Sequence, residues 1–116
     1  MEYELVERPG AVVLKITART MDQDNAPRMV AALGPAVSAD RSVVLDLSSV
    51  RFVNSAGLGA IVSLVRDVGK RGGAIRICSP QPTVKALFAM VHLESIASID
   101  ADLSAALEAL PDGHGG

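Results

Sequence analysis

Two rhythms of apolar residues divide this chain. Val12, Leu14 and Ile16 alternate with Val13, Lys15 and Thr17, and Ile75 and Ile77 alternate with Ala74, Arg76 and Cys78. A period of two reads as strand, with one apolar and one mixed sheet face. From residue 57 to 71 the period lengthens: Leu58, Ile61, Val62, Val65 and Val68 recur at helical spacing, and Leu64 widens the stripe. Gly59, Ser63, Arg66, Asp67 and Lys70 make the opposite face, small or charged and open to water or a partner. Read along the whole chain, the pattern predicts strands over 2–8, 11–17, 42–48, 74–78 and 95–99. It predicts helices over 26–38, 56–71, 82–91 and 101–109.

Turn and cap residues refine these elements. Pro9-Gly10 between the first two strands signals an opening hairpin. Later strands alternate with helices, which requires crossover connections and a mixed sheet. The expected class is α/β, a mixed four- to five-stranded sheet with about four helices mainly on one face, because only one sheet face is uniformly apolar. Pro27 suits a first helical turn, and Met29, Val30, Leu33 and Val37 supply its stripe, whereas Gly34-Pro35 should kink or interrupt that helix. Gly72-Gly73 should end the second helix, and Asp100 should cap the last one, which Pro111 terminates. One domain over 1–110 and a flexible Gly-rich tail over 111–116 are expected.

Composition removes several function classes. The chain has 116 residues, enough for one core, and a net charge of -2, which leaves no basic footprint for nucleic acid. No apolar run approaches a bilayer span, and the start of the chain, with Glu2 and Glu4, lacks a signal peptide's pattern, so a cytoplasmic protein with no membrane insertion is expected. Cys78 is the only cysteine and sits in an apolar run, which predicts a buried thiol and no disulfide. Asp22, Asp24 and Asp46 match no calcium-loop spacing, and neither His92 nor His114 stands in a catalytic setting. Val53-Asn54-Ser55-Ala56-Gly57 lacks the first glycine of a nucleophile elbow. No enzyme activity, catalytic residue, metal or cofactor is assigned.

The informative stretch runs from Asp46 to Gly59: a strand end, a loop, and then Asn54-Ser55-Ala56-Gly57-Leu58-Gly59 opening the long helix. Ser55 falls where that helix begins. Serine there is a preferred N-cap. It also stands where free N–H groups and the positive end of the helix dipole tolerate an added negative charge.

This stretch resembles the STAS domains, and among them the small anti-sigma factor antagonists of bacteria, whose pattern at this point is Asp-Ser-Ser/Thr-Gly-Leu-Gly. Asn54 stands in place of the usual Asp and Ala56 in place of the second hydroxyl residue. Met21-Asp22-Gln23-Asp24-Asn25-Ala26-Pro27 is similar to the family's segment leading into its first helix, and the run from Ser79 to Phe88 to its later strand-to-helix turn. At His92 the family often has glycine, and histidine tolerates the positive φ of a cap. The resemblance implies the STAS fold and Ser55 as a phosphoacceptor. It implies an anti-sigma factor with serine kinase activity as partner, bound by the unphosphorylated form and released on phosphorylation, with a phosphoserine phosphatase resetting the switch. It also places the Asp22 and Asp24 loop beside Ser55, where Asp22 either starts a turn or orients the hydroxyl. The expected partner surface is Asp22, Asp24, Asn54, Ser55, Ala56, Gly57, Gly59, Ser63 and Arg66. An alternative for the same fold is an accessory subunit of a membrane lipid-transport ATPase; partner switching in a secretion or two-component pathway is a third.

Overall fold

Gly10 takes φ +74 in the tight turn after Pro9, a conformation that costs glycine little. It joins two antiparallel strands, β1 (Tyr3–Arg8) and β2 (Ala11–Ile16). The computed structural model describes residues 2–36 and 42–110. In these residues β2 is followed by β3 (Thr20–Met21), α1 (Ala26–Ala36), β4 (Ser42–Asp46), β5 (Phe52–Val53) and α2 (Ser55–Lys70). The chain continues through β6 (Ile75–Cys78), α3 (Pro82–Met90), a 3-10 turn (Leu93–Ser95), β7 (Ser98–Asp100) and α4 (Leu103–Ala109). The main sheet has the order β1-β2-β4-β6-β7, antiparallel at β1 and parallel elsewhere, and β3 and β5 form a separate short parallel pair.

The alternation read from β2 sorts the core into two layers. Val12 and Leu14 lie beside Val43 and Leu45, and Leu45 beside Ile77; this face packs against α1, α2 and α3 through buried residues such as Met29, Ile61, Val65 and Phe88. The mixed face carries Val13, Val44 and Cys78, which pack on Ala106 of α4 with Leu103, Leu107 and Leu110 around them. Helices therefore cover mainly one face, with α4 on the other. On the mixed face Arg76 donates twice to the Asp100 carboxylate, at 2.7 and 3.0 Å. That pair holds the Arg76 guanidinium above its usual pKa range through the hydrogen bond to Asp100.

Several boundaries differ from the pattern-based expectation for identifiable reasons. Asp102, not Asp100, caps α4, its Oδ1 accepting from the Ala105 N–H at 2.8 Å, because Asp100 is committed to Arg76. The last strand begins at Ser98 and not at 95. His92 adopts φ +55 after α3, as the cap reading required, and the following 3-10 turn buries Leu93 before the strand can start. Helix α1 continues past Gly34-Pro35 to Ala36, where a missing proline N–H removes one bond near a helix end and leaves the earlier turns intact. The end of that predicted helix, residues 37 and 38, and the predicted tail lie outside the described residues. Gly72, at φ +82, reverses the chain after α2 as expected.

Candidate functional site at the β5–α2 junction

The loop from β4 to α2 is held at both ends before it presents anything. Asp46 is buried, and its Oδ1 accepts from the Ser48 N–H at 2.9 Å to start the turn, while Leu47 and Val50 are fully buried beneath it. The α3 side adds two ties: Gln81 Nε2 donates to the Ser48 carbonyl at 2.8 Å, and Thr83 Oγ1 donates to the Arg51 carbonyl at 2.9 Å. β5 then aligns Phe52 with Thr20 and Val53 with Met21, and the Asn54 N–H donates to the Met21 carbonyl at 3.1 Å. This anchored frame fixes where α2 starts.

Asn54 is the cap of α2. Its backbone is extended, at φ -91 and ψ -175, and its Oδ1 accepts from the Gly57 N–H at 3.0 Å. The expectation that Ser55 caps the helix is corrected: Ser55 is the first helical residue and is exposed. The reason is one of register, since asparagine is as good a cap as serine and stands one position earlier. With Asn54 supplying the capping bond, the Ser55 hydroxyl is presented outward at the positive end of a four-turn helix.

Gly57 behaves differently from its expected place on the partner surface. It is buried, and a Cβ there would meet the Met21 carbonyl oxygen at 2.4 Å and its carbon at 2.8 Å. Its role is to let the first turn of α2 press onto the β3 backbone. Gly59 is exposed with open space where a Cβ would stand, so it remains surface. Along α2, Ser55, Gly59, Ser63 and Arg66 share one exposed side, spanning about 16 Å at 1.5 Å per residue. Ala56 and Ser63 also border a shallow apolar groove toward Pro27 and Val30 of α1.

The Asp22–Asn25 loop does lie beside Ser55, and the contact runs through Gln23. Asn54 Nδ2 donates to Gln23 Oε1 at 2.8 Å. Asp22 itself forms the turn: its Oδ1 accepts from the Asp24 and Asn25 N–H groups at 2.9 and 3.2 Å, and its N–H donates to Asn25 Oδ1 at 3.0 Å. Of the two roles open for Asp22, the turn is the one the geometry displays. Asp24 is exposed, and its carbonyl accepts from Arg28 Nη1 at 2.6 Å. Gln23, the buried Asn25 and Phe52, which is 59% exposed two residues before Asn54, are the site residues the sequence pattern did not single out. The Asp22-Asn25 spacing of three was a usable turn signal; nothing in the pattern marked Gln23.

Chemically, the junction offers a primary hydroxyl, positive helix-end potential and an uncharged cap. Among the described residues no group of three or more His, Cys, Asp or Glu side chains is placed to hold a metal ion, and no helix is long and apolar enough to cross a membrane. Cys78 lies beside Asp46 in the sheet, buried in the α4 layer, with its thiol pushed up to about 11, chiefly by burial and then by the Asp46 charge.

The family model of the STAS domain matches residues 2–106. The chain belongs to the STAS-domain family. Over 101 residues this STAS domain is 23% identical to the anti-sigma F factor antagonist of Paenibacillus polymyxa, covering 85% of this chain and 86% of that one. The TM1081 homologue of Thermotoga neapolitana is 33% identical over 66 residues, which are 57% of this chain and only 58% of that protein. The fold matches that of the Bacillus cell fate determinant SpoIIAA in its phosphorylated form at a TM-score of 0.69 and 19% identity, over 91% of this chain and 96% of that one. The five-stranded mixed sheet with four helices is thus the STAS fold.

Proposed function

We propose that this STAS domain is an anti-sigma factor antagonist that works by partner switching at Ser55. The observation that carries the reading is the exposed Ser55 hydroxyl at the first position of α2, with the capping bond made by Asn54. A similarity to an anti-sigma F factor antagonist supports the partner class, and the existence of a phosphorylated SpoIIAA supports the modification. The unphosphorylated surface made by Asn54, Ser55, Ala56, Gly59, Ser63 and Arg66, with the Asp22–Asp24 loop at its edge, binds an anti-sigma factor and frees the sigma factor. The anti-sigma factor is also the serine kinase. It transfers a phosphoryl group to Ser55 in the cytoplasm, and a phosphoserine phosphatase removes it.

Charge and desolvation explain the release. Phosphorylation adds about -1.5 to -2 charges near neutral pH. Inside a docked interface that charge is stripped of water and faces surfaces shaped for a hydroxyl, which costs several kcal/mol, and about 1.4 kcal/mol is tenfold in affinity. The fold is unaffected, because a negative charge at a helix N-terminus is tolerated. Affinity capture from native cells with Ser55→Ala and Ser55→Asp forms tests the reading. Recovery of an anti-sigma factor by the first and not the second is expected; equal recovery of a transport ATPase subunit by both would overturn it in favour of the accessory-subunit role.

A further inference from the structure

Among the described residues β1 is one edge strand of the sheet and β7 the other, and the residues of β1 break off two patterns that run across the molecule. On the α4 side of the sheet, Val6 lies opposite Val13, which lies beside Val44. Val13 and Val44 are buried, yet Val6 is 41% exposed. In the neighbouring row Glu4 lies opposite Lys15, which lies beside Asp46, an alternation of charge that ends on the exposed Glu4. The Thr17 N–H donates to the Glu2 carbonyl at 2.9 Å. By the alternation of an antiparallel ladder, Glu4, Val6 and Arg8 therefore direct their main-chain groups toward β2, and Tyr3, Leu5 and Glu7 direct theirs to the outer edge.

We propose that β1 is a self-complementary edge, paired antiparallel with β1 of a second copy about Val6. A ladder at this edge must match outward positions with outward positions, and the symmetric registers that pair most of Tyr3–Arg8 are those about Leu5 and Val6. Centring on Leu5 sets Glu4 against Val6 and Arg8 against Glu2, which already holds Arg28 at 2.6 Å. Centring on Val6 sets Val6 against Val6 and brings Glu4 of each copy opposite Arg8 of the other. These are non-hydrogen-bonded pairs, the type in which side chains approach most closely. The valine row then runs unbroken from Val44 through both Val6 residues into the second copy, and the charge row becomes Asp46, Lys15, Glu4 and Arg8 of the second copy. Leu5 meets Glu7 of the second copy through main-chain groups alone. Pairing two six-residue strands buries far less than a stable interface needs, so the association is weak and set by concentration.

Sedimentation equilibrium of the full chain from micromolar to millimolar concentration tests this. The wild type is expected to move from monomer toward dimer across that range. Glu4→Arg and Arg8→Glu, each alone, set like charges opposite one another twice and should weaken self-association about tenfold or more. An equimolar mixture of the two variants should recover it, because one copy then carries two arginines and the other two glutamates. Leu5→Pro should abolish it while sparing the β1–β2 ladder, since the Leu5 N–H points outward; melting curves close to wild type verify that each variant is folded. A wild type that stays monomeric at millimolar concentration overturns the proposal. So does a dimer that the two reversals and their mixture leave unchanged.

Discussion

Asn54 and Gln23, thirty-one positions apart in sequence, are joined by a 2.8 Å hydrogen bond from Nδ2 to Oε1. The same Asn54 caps α2 through Oδ1. One amide thus fixes the start of the helix that bears Ser55 and ties the loop before α1 to it.

Asn54→Ala should destabilise the fold by about 0.5 to 2 kcal/mol, the usual cost of losing a cap. Asn54→Asp should stay within about 0.5 kcal/mol of wild type, because the carboxylate keeps the capping oxygen and a surface change elsewhere costs little. Urea denaturation of the three proteins measures both differences. A full loss in the Asp variant would show that the bond to Gln23, and not the cap, holds the junction.

Gly57 and Gly59 should respond oppositely to alanine. Gly57→Ala drives a methyl into the Met21 carbonyl and should cost about 1 to 3 kcal/mol, the range for overpacking. Gly59→Ala enters open space and should raise stability by up to about 1 kcal/mol through helix propensity. Thermal melts of the pair decide between a steric and a merely conformational role for Gly57.

Much of this contrast was hidden in the sequence. The long strands and α2 were legible because their apolar residues repeat over enough positions to define a face, and the Gly72 turn because glycine announces it. β3 and β5 were not, since two-residue strands carry no readable period. Asn54 and Ser55 are both good caps, so composition could not place the helix start; only the β5 pairing with β3 sets the register. The cap of α4 falls at Asp102 and not at the expected Asp100 because Arg76 claims Asp100. Ser55 itself was found by its motif, and its exposed setting came from the fold.

Cys78 should be unreactive in the native protein. Burial pushes its thiol up to about 11, so near pH 8 it remains protonated, and its place under α4 blocks access. The sign for stability follows: the unfolded thiol ionises first, so this group favours unfolding as pH rises from 9 toward 11. Labelling with a thiol reagent should proceed at the rate of unfolding under native conditions and at once in denaturant.

On α2, Arg66→Glu or Ser63→Arg should lower affinity for the anti-sigma factor while leaving stability within about 0.5 kcal/mol. Ile61→Ala, which deletes fully buried methyl groups, should cost about 2 to 5 kcal/mol of stability instead. Normal binding by both surface variants would move the docking face toward the Asp22–Asn25 loop.

Calorimetric titration of the captured anti-sigma factor against unphosphorylated and Ser55-phosphorylated protein tests the switch most directly. The phosphate is expected to weaken binding by about a hundredfold or more, equivalent to at least about 2.7 kcal/mol, with the melting temperature of the protein little changed. Equal affinities for the two forms, with phosphate mapped to Ser55, would contradict it.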